Sequence, residues 1–375
     1  MIMKLLIELC TNTPLTIHPF TKRYLSQSFS SNIPTTFSPK RKTPPVNTPS
    51  QHGLRLNAHA IFPPPAPLFT EKDIPSQKGK VFIVTGGNQG VGFELIKMLY
   101  PTDATIYMAS RSSTHAASAI SAITASDPAR AGNLKFLHLD LMDLHSIRAA
   151  AEEFSAREEK LDILWNNAGI GGLPPGTKTQ QGIEGHMGVN VVGTYYFTRL
   201  LVGHLKNASA GSEKDCVRIV WTTSWMGEGR SPEGGFRMRD LERGGCGNEY
   251  VDYAASRAAG WMMGVEAGKR WGGEGILSLI QNPGNLHTQA YRTLGRTTKF
   301  LINPLLYPAK NGAYTALFAG LSPTLTSHHQ GAYIIPWGRI QTRNPRADIY
   351  AALEAGKGAE LWVWCERVIG AEMDA

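Results

Sequence analysis

From Lys80 onward the chain alternates short, densely apolar runs with longer amphipathic ones. "KVFIVTG" (80–86), "ATIYMAS" (104–110), "LKFLHLD" (134–140), "LDILWNNAG" (161–169), "CVRIVWTTS" (216–224) and "GILSLIQNPG" (275–284) each concentrate four or more apolar residues. Runs of this length and density suit strands buried on both faces. Between them, apolar positions recur at helical spacing and predict helices over 91–100, 115–126, 143–158, roughly 181–206 and roughly 252–271. Strands alternating with helices build right-handed βαβ units. The expected fold is therefore α/β: a Rossmann-type, doubly wound parallel sheet in three layers (α/β/α), forming a single domain. No internal repeat at solenoid spacing interrupts it.

Residues 1–75 follow a different rule. They hold 12 of the 23 prolines, are rich in Ser and Thr, and sustain neither a helix nor a strand period. Such a composition cannot offset the entropy of ordering, so 1–75 is expected to be a disordered extension and 76–375 the folded domain. Most of the net charge of +8 belongs to this extension: residues 1–60 carry seven basic residues against Glu8, leaving +2 for the rest. A nucleic-acid site would need that charge on the folded part, so nucleic-acid binding is discounted. Basic, hydroxyl-rich and poor in acids, the segment reads either as an organelle transit peptide, as a dispensable tail, or as an upstream stretch included by the choice of start. The expected location is cytoplasmic, or mitochondrial if 1–60 is a transit peptide. Cys10, Cys216, Cys246 and Cys365 are too scattered for a zinc site or disulfide scaffold, so no metal is expected. No apolar run approaches the length of a spanning helix.

"TGGNQGVG" (85–92) links the first strand to the first helix. Gly86, Gly90 and Gly92 permit a tight turn and close approach of backbone to a pyrophosphate, and the helix start offers free N–H groups. The second strand ends in Met108-Ala109-Ser110-Arg111, with no acid to hold a ribose 2′-hydroxyl. Arg111 is either an ordinary surface arginine or a partner for a 2′-phosphate, and the latter reading favours NADP(H) over NAD(H).

Taken together, these segments resemble a short-chain dehydrogenase/reductase, over residues spanning Thr85 to Thr288. "TGGNQGVG" matches the family's cofactor loop (Gly86, Asn88, Gln89, Gly90, Val91, Gly92), and "LDL" (139–141) the stretch whose acid, here Asp140, holds the adenine, with Leu141 beside it. "NNAG" (166–169) matches the fourth-strand motif, placing Asn167, Ala168 and Gly169 near the cofactor. "VNVVG" (189–193) places the family's water-holding asparagine at Asn190, and "TTSWMG" (222–227) its serine at Ser224. "PGNLHT" (283–288) resembles the loop that clasps the nicotinamide carboxamide, through Pro283, Gly284, Leu286 and Thr288. The wider context, from about residue 61 to the C-terminus, is similar to a fungal branch related to retinol dehydrogenases and protochlorophyllide reductases and often found among secondary-metabolite enzymes. The resemblance implies dimers or tetramers through the helices after strands four and five.

The chemistry also follows from the residues. Carbonyl reduction needs a hydride on one face and a proton for the oxygen. Tyr253 supplies a phenol, and Arg257, one helical turn on, supplies a cation that stabilises its phenolate. In isolation such a pair is ordinarily a helix-surface contact; the surrounding motifs reverse that expectation. Ser224 can hold the substrate oxygen. The resemblance calls for lysine where Arg257 stands. Arginine keeps the charge and has donors for ribose, but it does not give up a proton and so cannot relay one. The expected function is NADP(H)-dependent interconversion of a ketone or aldehyde and its alcohol. The alternative is a non-catalytic NADP(H)-binding sensor or partner protein.

Between Ser224 and Tyr253, seven glycines and no sustained period predict a loop across the mouth of the site. Arg230, Arg237, Arg239 and Arg243 are balanced there by Glu228, Glu233, Asp240, Glu242 and Glu249, which predicts a self-paired, solvated loop rather than an acid-binding one. Tyr291, Phe300, Leu301, Leu305, Leu306 and Tyr307 suggest an apolar pocket, or core of the same composition. "AELWVWCERVIG" (359–370) is expected to pack as a helix on the body or at a subunit interface.

Overall fold

A computed structural model describes residues 64–287, 306–342 and 346–373. Eight strands form one sheet: β1 (Val81–Thr85), β2 (Thr105–Ser110), β3 (Leu134–His138), β4 (Ile163–Asn166), β5 (Val217–Thr222), β6 (Ile276–Gln281), β7 (Tyr333–Ile335) and β8 (Arg339–Ile340). Their order is β3-β2-β1-β4-β5-β6-β7-β8, parallel except for β8, which returns antiparallel to β7. The Rossmann-type doubly wound expectation holds.

Residues of β1 show why both faces must be covered. All five are buried, and successive side chains enter opposite cores: Val81 and Ile83 on one side, Phe82 and Val84 on the other. The second core is roofed by α1 (Gly90–Leu99), α2 (Ser113–Thr124) and α9 (Ala309–Leu321), through Leu95, Ala119 and Leu317. The first is roofed by α3 (Leu144–Ser155), α5 (Thr194–Ala210), α8 (Glu249–Trp271), α10 (Ala347–Glu354) and α11 (Lys357–Met373). Ahead of α5, a short α4 (Gly185–Met187) passes into a π-helical stretch, Gly188–Gly193, where Thr194 Oγ1 donates to Val189 O at 2.9 Å.

The helix expected over 359–370 is α11, and it lies on the body. Trp362 meets Tyr195 of α5 edge-on at 4.6 Å and Trp271 of α8 at 5.1 Å, while Arg270 stacks over it. Described residues of the N-terminal segment also touch the body: Phe69 packs on Phe318 and Glu71 pairs with Lys310 at 3.0 Å. The rest of that segment lies outside the described residues, as do Thr288, Tyr291, Phe300, Leu301 and Leu305 of the expected loop and pocket. Leu306 is partly buried, and Tyr307 meets Trp337 edge-on at 5.1 Å. No helix among the described residues is long and apolar enough to cross a membrane, and no cluster of His, Cys, Asp and Glu there could hold a metal.

The stretch between Ser224 and Tyr253 departs from expectation. It forms two short helices, α6 (Trp225–Arg230) and α7 (Met238–Glu242), and fully buries Phe236. Glu228, expected in solvent, is itself buried. The cause is distant: Arg346 donates to the carbonyls of Glu228 (2.8 Å) and Pro232 (2.9 Å), and Asp348 accepts the Gly234 N–H (2.8 Å). Contacts from more than a hundred residues downstream leave no local period. Self-pairing survives in part, since Arg237 and Arg239 both lean on Asp240 while Arg230 lies over the Tyr250 ring.

Candidate functional site

Strand order reverses between β1 and β4, which opens a crevice at the carboxyl edge of the sheet. Gly86 follows β1, Arg111 follows β2, Asp140 lies just past β3, Asn167–Gly169 follow β4, Ser224 lies just past β5, and Pro283–Gly284 lie just past β6. Motifs scattered over two hundred positions thus end on one rim.

At its β1 end the crevice is shaped for a phosphate. Gly86 and Gly90 take left-handed backbone angles, φ 67° and 58°. Gln89 precedes α1 in extended conformation and no side chain caps the helix, so its first N–H groups are left for an anion. A Cβ on Gly92 would lie 2.5 Å from the Gly86 carbonyl oxygen, so a side chain there would block the approach. Asn88 is half-buried. Asn167 and Ala168 brace this loop: Asn167 Nδ2 donates to Thr85 O and the Ala168 N–H to Thr85 Oγ1, each at 2.9 Å. Val91, Leu141 and Leu286 send their side chains into the core, leaving only backbone for a ligand.

Arg111 is exposed and makes no ion pair among the described residues. Asp140 is half-buried, its Oδ1 accepting the Met142 N–H at 2.9 Å while its own N–H donates to Ser146 Oγ at 3.0 Å.

At the β5 end, Tyr253 and Arg257 share one face of α8, the guanidinium carbon 5.3 Å from the phenol ring centroid. The Tyr253 hydroxyl makes no hydrogen bond among the described residues. Arg257 is 8 % exposed, and its Nη1 donates to Thr222 O at 3.1 Å. Its Nε has no hydrogen-bond partner, which is costly in a buried cation. Gly169 makes room for this head group: a Cβ there would lie 2.7 Å from Nη1 and 2.8 Å from Cζ, and would overlap Nη2. An orphaned guanidinium donor, a glycine cradle and an uncapped helix start fit the ribose and pyrophosphate of a nicotinamide dinucleotide.

Ser224 caps α6, its Oγ accepting the Met226 N–H at 3.2 Å, and a hydroxyl that accepts can still donate. Asn190 lies in the π-helical stretch. Its Nδ2 donates to Ile170 O and Ser256 Oγ, and its Oδ1 accepts the Ile170 N–H. Both amide protons are thus committed to the chain, so a water there would have to donate to the amide oxygen or be held by other atoms.

Two supports of Tyr253 were not legible beforehand. Its ring packs against Gly171, where a Cβ would lie 3.0 Å away, and against His186, edge-on at 5.8 Å. His186 is fully buried; Nε2 accepts the Leu173 N–H (3.2 Å), which places the proton on Nδ1 toward Glu184 (2.9 Å). Burial opposes ionisation of Glu184, but His186 and the His186 and Met187 N–H groups together hold its carboxyl below the usual range. "EGHM" (184–187) has no hydrophobic period, so only the fold reveals it.

Comparison with known proteins identifies the family. The short chain dehydrogenase family profile matches residues 80–235. A short-chain dehydrogenase/reductase of Pestalotiopsis fici is 49% identical over 311 residues, covering 82% of this chain and 95% of that one. One of Neocamarosporium betae is 41% identical, covering 82% and 91%. Among solved structures, an uncharacterized Mycobacterium paratuberculosis protein is similar at TM-score 0.60 and 26% identity, covering 80% of this chain and 97% of that one. NADPH-bound carbonyl reductase from chicken fatty liver shares the fold at TM-score 0.54 and 20% identity, with 72% and 100% covered. With a crevice of this shape and relatives of this extent, the chain belongs to the short-chain dehydrogenase/reductases, a family of oxidoreductases that use nicotinamide cofactors.

Proposed function

We propose that the protein is an NADP(H)-dependent oxidoreductase that interconverts a ketone or aldehyde with its alcohol, in fungal secondary metabolism. The observation that carries the reading is the Tyr253–Arg257 face of α8, with an unengaged phenol beside a buried cation whose Nε has no partner. The cofactor, when bound, supplies or accepts the hydride. Tyr253 gives its phenolic proton to the substrate oxygen as that oxygen becomes negative, and takes it back in the reverse direction. Arg257 stabilises the phenolate by charge, and its guanidinium would pair with the ribose hydroxyls. Ser224 donates its hydroxyl to the same substrate oxygen. The α1 N-terminus takes the pyrophosphate, Asp140 the adenine, and the Pro283–Gly284 turn the nicotinamide. Arg111, on a β2 end without an acid, favours the 2′-phosphate of NADP(H).

A second reading has one observation in its favour. Arginine at 257 retains charge but cannot relay a proton, which suits a nucleotide-binding sensor or partner protein without turnover. Single-turnover NADPH oxidation against a panel of apolar ketones and aldehydes separates the two. Under the enzyme reading the parent protein turns over and Tyr253→Phe falls by at least about a hundredfold. Turnover by Arg257→Lys alone, with the parent silent, would establish the sensor reading instead.

A further inference from the structure

Glu228 lies four residues beyond Ser224, yet it is 8 % exposed, and the catalytic scheme above gives it no role. A carboxylate is held away from water only when other groups satisfy it. Here Oε1 accepts from Asn282 Nδ2 at 3.0 Å and from the Tyr333 hydroxyl. Burial, and after it the Glu228 charge, push the Tyr333 phenol up, so it stays a donor. Trp261 of α8 packs on Tyr333 at 4.5 Å and closes the cluster.

Asn282 is the hinge of the arrangement. It is 1 % exposed and follows β6 directly, with its backbone N–H on Ile334 O at 2.8 Å. Its Oδ1 accepts the Gly284 N–H at 3.0 Å, an Asx turn that shapes the Pro283–Gly284 corner. Gly284 has φ 88°, and a Cβ there would lie 2.9 Å from Pro336 Cγ. An asparagine amide can sit either way round. A carboxylate accepts only, so Glu228 compels the NH2 side to face it and leaves the oxygen for Gly284. With the amide reversed, Nδ2 would point at the Gly284 N–H and Oδ1 at the carboxylate, both repulsive.

We propose that Glu228 is a positioning residue for the nicotinamide end of the cofactor, orienting the Asn282 amide and through it the Pro283–Gly284 turn. The proposal rests on the reading above that this turn receives the nicotinamide. It also links the helix that Ser224 caps to the loop beside the hydride, so the oxygen-holding and hydride-placing groups share one buried anchor.

The test uses the full chain and two probes, NADPH and adenosine 2′,5′-bisphosphate, which carries only the adenosine end. Glu228→Ala is expected to weaken NADPH binding about tenfold and to change the bisphosphate by less than about twofold. Glu228→Gln keeps an acceptor oxygen for both donors and restores NADPH binding to within about threefold of the parent. Asn282→Ala, which removes the hinge while leaving every residue of α6 in place, should repeat the Glu228→Ala pattern and guards against misfolding of one variant. Equal weakening of both probes, unchanged NADPH binding, or a Gln variant as weak as Ala overturns the proposal while leaving the cofactor site standing. A parent protein that binds neither probe overturns the cofactor reading itself, and this proposal with it.

Discussion

Two buried arginines sit at opposite ends of this sheet and are treated in opposite ways. Arg218, near the start of β5, is 4 % exposed. Its guanidinium donates to four carbonyls: Asp215 (2.9 Å), Ala319 (3.2 Å), Ser322 (2.9 Å) and Leu325 (3.2 Å). Burial pushes it down to about 10, yet it remains a cation at neutral pH and ties α9 and its following turn to the strand. Arg257, at the carboxyl edge, is nearly as buried but keeps one carbonyl partner and an orphaned Nε. A structural cation is saturated by the chain. Arg257 is left short of saturation, and under the proposed function a bound cofactor would complete it.

The sharpest way to break this comparison is to exchange what each arginine loses. Arg218→Met strands four carbonyls and should cost about 3 kcal/mol in urea unfolding, with the activity of the folded fraction unchanged. Arg257→Met gives up a single hydrogen bond, so its unfolding midpoint should move by less than about 1 kcal/mol while NADPH turnover falls about a hundredfold. Comparable stability losses in both variants would erase the distinction.

A smaller effect sharpens the account of the functional member. Gly169→Ala places a methyl where the Arg257 head group lies and should weaken NADPH binding about tenfold. Lysine is a single-stranded stem with a compact head, so Arg257→Lys in the same background should recover most of that loss. Alone, Arg257→Lys is expected to raise kcat about tenfold with little change in NADPH affinity, because a lysine can pass a proton. Binding titrations and turnover on the four combinations resolve the coupling.

The smallest effect concerns the stretch between Ser224 and Tyr253. Arg346 beside Asp348, and after it the Gly234 N–H, hold the Asp348 carboxyl down to about 2 against an ordinary 3.8. A depressed carboxylate contributes stability that is complete above its unfolded value and fades as pH falls to its folded one. Asp348→Asn should therefore melt below the parent at pH 7, with the gap closing between about pH 4 and pH 2. A gap that persists at the lower end would assign the loss to packing.

What the sequence made legible follows from the range of the forces involved. Six strands and their helices depend on local period, and "TGGNQGVG" on glycines between a strand end and a helix start, so these could be read from the residues, whereas "NNAG" was placed through the family resemblance. Tyr253 and Arg257 are one helical turn apart, a relation carried by spacing alone. Glu228 could not be read this way: among Gly227, Gly229 and Arg230 it looked solvated, and Asn282, just past β6, and Tyr333 of β7 hold it in the interior. His186 was hidden for the same reason, its partners being Leu173 and a phenol on another helix. The departure at 225–252 likewise came from Arg346 and Asp348, whose reach no local pattern records.

The seating of α11 on the body has a consequence in time. Leu361, Trp362, Cys365 and Ile369 belong to the same core as Trp261 and Met262 of α8. They are translated roughly a hundred residues after α8, at a pace of seconds. Until they arrive, the back of α8 is a bare apolar face while its front already carries Tyr253 and Arg257. The helix that carries Tyr253 and Arg257 is therefore complete about a hundred residues before the residues that cover its back.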